Sequence, residues 1–443
     1  MGNLFDNLCN RPRVLGLLAI AIIQIIAFGY YLYFYFHNGY LPSPFMYDKS
    51  DTFMDLFHSI YWADNDGRYT DWKSVYPPLV FLFLKLIRSV FIGDYGFYDA
   101  FEMRDHSGLI AIFLVLCFMA IPAFVLSKPQ WKDFSFLEKI LIYVAVVISV
   151  PMLFALERGN VIIFCLIFLA LAFEPNSSAR VISIPVLINI KPYFALLLLN
   201  LVVKRMWREL AISIALSGGL FVVLGVLLDA NFMQFFNNLL GFSKSENLFS
   251  MREVMAMPSS VSAFSYILSS GAVADMLGGD FYFNSISTLI EGVKWSIVVA
   301  TFYLILKYGK SKGDFQLAVL VVLISNLGLW VGGYSLILYL PIVPIILRQS
   351  NFRFVYLSII VLMVLPTDLL VIVNESIGSQ FSYLSHSRVG VEWSLGVGSL
   401  IRPLLNLLLL GLMCVDLIGG LKLRVGKLNL SSFANGTVLK VML

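Results

Sequence analysis

The sequence predicts an all-α polytopic membrane protein, and three observations carry that prediction. Of 443 residues, 59% are hydrophobic and only 13% are charged, roughly half the ~25% charge of an ordinary soluble domain. Apolar runs of about 20 residues, the length that crosses a bilayer as a helix, recur from one end of the chain to the other. The lysines and arginines collect in the short loops between those runs, where they orient spans. The net charge of +4 therefore carries no nucleic-acid reading.

Taken in order, Arg11 and Arg13 precede the first span, about 14–36, and set the N-terminus in the cytoplasm. That span is too long for a signal-peptide core and ends in aromatics, so no cleavable signal is expected. It delivers an acidic loop, 37–92, to the outside. Tyr76 to Val90, interrupted by Lys85 and Arg88, is short for a span and reads as a juxtamembrane or re-entrant helix. Span two, about 107–127, returns to Lys128 and Lys132. Span three, about 137–155, ends at Glu157-Arg158-Gly159-Asn160, and a short fourth, about 161–173, returns to Arg180.

The stretch 181–203 is broken at Lys191-Pro192. Two half-helices keep Lys204, Arg205 and Arg208 inside, whereas one span would put them outside. A span at about 210–229 leads to a long outer loop, Ala230 to Asn284. The next returns to Lys307, Lys310 and Lys312. Two spans pair across Trp330-Val331-Gly332-Gly333-Tyr334, and an eleventh leads to an outer polar loop, Asn374 to Ser394. The last brings Lys422, Arg424 and Lys427 back. The count is about 12 membrane segments, some short or broken, in one membrane-embedded domain covering 1–443, with both termini cytoplasmic.

This layout gathers the chemically capable residues on the outer face. Asp48, Asp51, Asp55 and His58 are spaced three, four and three apart, which on one helix makes a single stripe. Opposite readings are a solvated helix face and a divalent-cation site. Asp64, Asp66 and Asp71 read as turn residues. Arg158 reads either as a partner of Glu157 or as an anion binder. Lys191 is costly inside an apolar stretch and therefore functional by default. Arg252, His386 and Arg388 lie in outer loops. A carboxylate base beside cations suits transfer from a lipid phosphate to a hydroxyl: the base takes the hydroxyl proton and the cations hold the departing phosphate. Cys117, Cys165 and Cys414 sit in apolar runs and Cys9 near the N-terminus, as small hydrophobes rather than a disulfide or zinc framework. The sequons at Asn176, Asn429 and Asn435 fall on the cytoplasmic side and read as chance matches.

Phe53-Met54-Asp55-Leu56 after the first span, followed by Tyr76-Pro77-Pro78-Leu79, resembles the GT-C membrane glycosyltransferases of family 87, which include polyprenyl-phosphate-mannose-dependent α-mannosyltransferases. Arg158-Gly159-Asn160 resembles the family's Gly-Gln-x-Asn segment without its glutamine, and Lys191-Pro192 its lysine after a short apolar stretch. Met257-Pro258-Ser259-Ser260 stands where the family has Asn-Gln-Ser, Tyr334 or Ser335 where it has a histidine, and Arg402 where it has a late arginine.

The resemblance covers roughly 14–410. It implies a GT-C fold in a bacterial inner (plasma) membrane, with a polyprenyl-phosphate sugar donor at the outer leaflet and a glycan or glycolipid acceptor. It implies no metal and no cofactor. It makes Asp55 the general base, with Asp51 as nearest rival. Asp48, His58, Tyr76, Glu157, Arg158, Asn160, Lys191, Tyr334, Arg388 and Arg402 become candidate substrate contacts. Two other readings stand beside it: a polysaccharide polymerase-like enzyme, which the early aspartate loop disfavours, and a lipid-linked sugar transporter or flippase, which only the Lys191-Pro192 break favours.

Overall fold

The computed structural model describes residues 12–45, 51–93, 95–174, 176–242, 256–269, 280–327, 332–350 and 352–418. The apolar run after Pro12 forms α1 (Pro12–Asn38). A turn through Asp51 to Phe53 enters α2 (Met54–Ala63), and a 3-10 turn (Asp66–Arg68) leads on to α3 (Pro78–Phe91). Pro78 takes the first position of α3, where no N–H donor is needed. α3 buries Val80, Phe81, Leu84 and Ile87, the spacing of a one-sided helix. α4 (Ala100–His106) and α5 (Gly108–Leu126) follow.

α6 (Phe136–Val147) opens on a capping box: Ser135 Oγ accepts from the Glu138 N–H, and the Glu138 carboxylate accepts from the Ser135 N–H. α7 (Val150–Arg158) is bent from α6 by 51°. The sequence predicts one continuous span here. The bend arises because Pro151, in the first turn of α7, brings no N–H to the α6 ladder. After α8 (Ile162–Ala172), α9 (Ser177–Ile190) stops at Lys191, which is extended. Pro192 then opens a 3-10 segment (Pro192–Leu197) that runs into α10 (Leu198–Val203). Asn176, of the first sequon, caps α9 by accepting from the Ser178 N–H.

α11 (Trp207–Leu227), α12 (Phe232–Phe242), α13 (Val261–Ser269) and α14 (Asp280–Tyr308) come next, so the described residues of the expected loop 230–284 include helical segments of their own. α15 (Phe315–Leu327) precedes a 3-10 segment (Gly333–Ile342) continuing as α16 (Val343–Gln349), and then α17 (Arg353–Val364). The next element is a local departure from an otherwise helical chain. The polar stretch read as a loop is an antiparallel hairpin, β1 (Val371–Ser382) with β2 (Ser387–Gly396), pairing Asn374 with Ser394 and Phe381 with Arg388. Val371-Ile372-Val373 and Val389, Val391 and Trp393 supply the β-branched and aromatic residues that favour strands. α18 (Val397–Leu417) closes the described chain.

The molecule is therefore mostly helical, as expected of a multi-pass membrane protein. Five of the described helices are long and apolar enough to cross a membrane: Pro12–Asn38, Gly108–Leu126, Trp207–Leu227, Ser285–Ser311 and Val397–Leu417. The bent pair α6–α7 makes a sixth if it counts as one span. The shorter apolar helices lie at the centre, and every described side chain of α15 from Phe315 to Asn326 is buried. The long helices turn apolar residues outward instead: Ile22, Ile25 and Ile26 on α1, Val222, Val226 and Leu227 on α11, Leu289 and Val299 on α14. Faces of that kind suit hydrocarbon and not water.

The loops meet at two ends. At one, Arg13 pairs with Glu138, Lys128 with Glu174, Lys204 with Asp314 and Arg348 with Asp133. These are the loops that the charge pattern assigns to a single face. The hairpin and the acidic segment lie at the other end.

Candidate functional site

The site is built where the start of α2 meets the end of α7. Gly159 ends α7 at φ +69°, and a Cβ there would lie 2.9 Å from Leu56 Cβ and 3.1 Å from the Phe53 carbonyl. Glycine is thus required twice, by backbone and by space. Phe53 itself stands at φ 61°, an uncommon place for a bulky residue, and its N–H donates to the Glu157 carbonyl at 2.6 Å. Thr52 Oγ1 donates to Glu157 Oε1 at 3.2 Å. Backbone strain of this kind costs about 1–3 kcal/mol and concentrates at functional sites.

This splice brings together residues more than a hundred positions apart. The Arg158 guanidinium pairs with Asp51 through one terminal nitrogen and donates to Asp55 Oδ1 at 3.0 Å through the other. Asn160 Nδ2 donates to Asp55 Oδ2 at 2.8 Å, while Asn160 Oδ1 accepts from the Ile162 N–H at 3.0 Å. That second bond fixes the amide, so its donors face the carboxylate. The Asp55 side chain keeps 22% of its surface exposed. Each of its oxygens has a further lone pair free for an incoming hydroxyl.

Beside this triad, Lys191 Nζ donates to the Tyr76 hydroxyl at 3.3 Å and lies 4.4 Å from the centre of its ring. Among the described residues Lys191 has no carboxylate partner, unlike Arg158. Burial, and the Asp55 charge next, push the Tyr76 hydroxyl well above its ordinary range, so it stays a protonated donor. Tyr334 interacts electrostatically with Lys191, Asp55, Tyr76 and Arg158, and its ring stacks on Phe154 at 6.3 Å. Asp51, Asp55, Tyr76, Arg158, Asn160, Lys191 and Tyr334 are therefore one constellation.

Other candidates stand elsewhere or outside the described residues. Asp48 lies outside the described residues, as do Arg252 and Trp330. Asp51 is in the turn before α2, so the four-residue helical stripe does not form. Asp51 joins Asp55 through Arg158 instead. Glu157 faces Thr52 and the buried interior, so Arg158 is the partner of two aspartates rather than of its neighbour in sequence. His58 stacks on Trp62 at 5.5 Å and meets the edge of Phe101, so its ring joins an aromatic cluster rather than the Asp51–Arg158–Asp55 bonds. Burial pushes its ring pKa down. Asp64 holds Arg88 and, at 3.3 Å, Lys85, and is more than a turn residue. Arg388 is exposed on β2. Arg402 is fully buried, and Asp368 and the Met363 carbonyl occupy its guanidinium.

Sequence reasoning passed over Thr52 and Arg104, and named Gly159 only as part of the Arg158-Gly159-Asn160 segment. Arg104 donates to the Thr52 carbonyl at 2.9 Å and lies 3.6 Å from the ring centre of Tyr383 at the hairpin tip, tying the hairpin to the acidic turn. The positive φ of Gly159 had a signal in the sequence, a glycine directly after an apolar helix. Arg104 and Thr52 had none. Among the described residues, no group of three or more His, Cys, Asp or Glu is arranged to hold a metal ion. No family model, curated protein or solved structure matches the chain.

Proposed function

We propose that this chain is an integral membrane hexosyltransferase. It moves a hexose, with mannose the first to test, from a polyprenyl-phosphate donor to a hydroxyl of a glycan or glycolipid at the extracytoplasmic face. The observation that carries this reading is Asp55, oriented by Arg158 and Asn160 yet still accessible, with Lys191 nearby and without a carboxylate partner among the described residues. Asp55 accepts the proton of the acceptor hydroxyl. The acceptor oxygen bonds to the anomeric carbon as the bond from that carbon to the phosphate oxygen breaks, and the electron pair leaves with the phosphate. Lys191, with the Tyr76 hydroxyl as a further donor, holds the departing phosphate. Asp51 keeps Arg158 in place and so positions Asp55. General-base assistance of this kind is worth about 10²–10⁴ in rate.

The test uses purified protein and a panel of polyprenyl-phosphate hexoses with a glycan acceptor. Asp55→Asn is expected to lower transfer by about 10²–10⁴-fold while the melting temperature stays put. Undiminished turnover by that variant would sink the assignment. The break at Lys191 favours a second reading, a transporter of the same lipid. Under that reading, labelled lipid crosses proteoliposomes without losing its sugar.

A further inference from the structure

α2 continues past Asp55 with two aromatic residues on the same stripe, His58 one turn on and Trp62 two turns on. They are not isolated rings. His58 and Trp62 are near-parallel, 9° apart with centroids 5.5 Å apart, and Trp62 and Trp72 are 16° apart with centroids 6.1 Å apart. Parallel rings in direct face contact would sit about 3.5–4.0 Å apart, so these three are slid past one another like steps. All three are half-buried, so each side chain keeps part of its surface open.

The steps are rigidly held. Arg68, itself buried, donates to the Leu228 carbonyl, to the Ala63 carbonyl at 3.3 Å and to the Trp62 carbonyl at 3.3 Å. The Trp72 N–H closes the turn on the Gly67 carbonyl at 3.2 Å. The same turn carries Asp66 and Asp71, both exposed. Stepped aromatic rings with exposed carboxylates in the same turn offer the chemistry that recognises a pyranose: C–H bonds of a sugar can lie on rings while its hydroxyls donate to acids.

We propose that His58, Trp62 and Trp72 form a stacking subsite for an acceptor oligosaccharide, running along α2 and ending with the attacking hydroxyl at Asp55. From Asp55 to Trp62 the helix advances about 10 Å, a distance on the scale of a short glycan. The subsite rests on the glycosyl-transfer reading for its direction. The rings alone account for binding, which is measured separately.

The experiment titrates the purified protein in detergent, without donor, with mannose and glucose oligosaccharides while following tryptophan emission. The same titration is run on Trp72→Ala, Trp72→Phe and Trp62→Phe. Wild type should show a saturable emission shift that Trp72→Ala loses and Trp72→Phe partly keeps. In transfer assays Trp72→Ala should raise the acceptor KM about tenfold, the scale of one lost aromatic contact, with kcat at saturating acceptor and the donor KM unchanged. Unchanged acceptor KM in an active enzyme overturns the subsite and leaves the transfer reading intact. A glycan-dependent shift in a protein that transfers nothing upholds the subsite and overturns the transfer reading. Emission that answers only to brominated lipid, with no response to any oligosaccharide, makes the rings a membrane-interface anchor and overturns the subsite.

Discussion

Two of the arginine–aspartate assemblies among the described residues, one around Arg158 and one around Arg402, differ in how far they are sealed, and the comparison separates the proposed site from scaffolding. Arg158 lies between Asp51 and Asp55 with 13% of its side chain exposed, and the carboxylates keep 16% and 22%. Arg402 and Asp368 keep 0% and 1%. Arg402 Nη1 donates to Asp368 Oδ1 at 2.7 Å and Nε to the Met363 carbonyl at 2.9 Å. A Cβ on Gly398 would sit 2.6 Å from Asp368 and 2.8 Å from Arg402. The second assembly is closed and has no room for a substrate. It clips the base of the hairpin to α18, next to the Val397 N–H bond to the Leu370 carbonyl. The first is open and asymmetric, with one carboxylate held from two sides. The same residue types stand in different surroundings: one pair is sealed, and the other keeps part of its carboxylate surface exposed.

Breaking each assembly should show the difference. Arg402→Ala leaves Asp368 buried and unpaired, at an expected cost of about 3–5 kcal/mol. Thermal melts in detergent would report that loss, with activity per folded molecule unchanged. Arg158→Ala should do the reverse. Transfer falls by about 10²–10³-fold, the scale of one lost catalytic donor, and the melting temperature moves little. If both variants lost stability alike and retained specific activity, the comparison would fail.

Smaller effects sharpen it. Gly159→Ala forces an alanine into a left-handed backbone against Leu56 and should cost about 1 kcal/mol or more. Its activity should fall further than its stability, since α7 delivers Arg158 and Asn160. A Gly159→Ala protein with wild-type melting and rate would show that the splice is not strained.

The smallest effect is a pH dependence at His58. Burial lowers its pKa from 6.5. Asp55 and Asp99 favour the proton there, and Arg158 and Arg104 oppose it. The unfolded chain then binds the proton more readily than the folded one. The stabilising contribution is present above about 6.5 and fades as pH falls below it. His58→Gln should flatten the melting temperature between pH 7 and 5 relative to wild type.

Much of this was legible in the sequence because an apolar background makes each polar residue conspicuous. Lys191 at a proline break, Tyr76 before a double proline and Asp55 after the first span each stood out, and all three fall in the constellation. The hairpin was not legible, since Asn374 to Ser394 has the polarity of a loop, and its β-branched and aromatic residues signal strands only once cross-strand pairing brings them together. The bend at Pro151 was hidden because hydropathy runs smoothly through it. The three-four-three spacing groups His58 and Asp48 with Asp51 and Asp55 only on a helix that begins earlier. The helix starts at Met54 instead, with Phe53 in the left-handed region turning the chain into it.

The sequence by itself determined a multi-pass helical protein, the order and rough extent of its apolar segments, and a short set of polar residues too expensive to bury without purpose. Only the tertiary structure decided which of them meet. Periodicity reports which face a residue occupies on its own helix, whereas the bonds from Arg158 and Asn160 to Asp55 span more than a hundred residues and depend on a glycine that lets α7 rest on α2. It also decided which arginine is spent: Arg158 and Arg402 look alike in the chain, and packing alone seals one of them away.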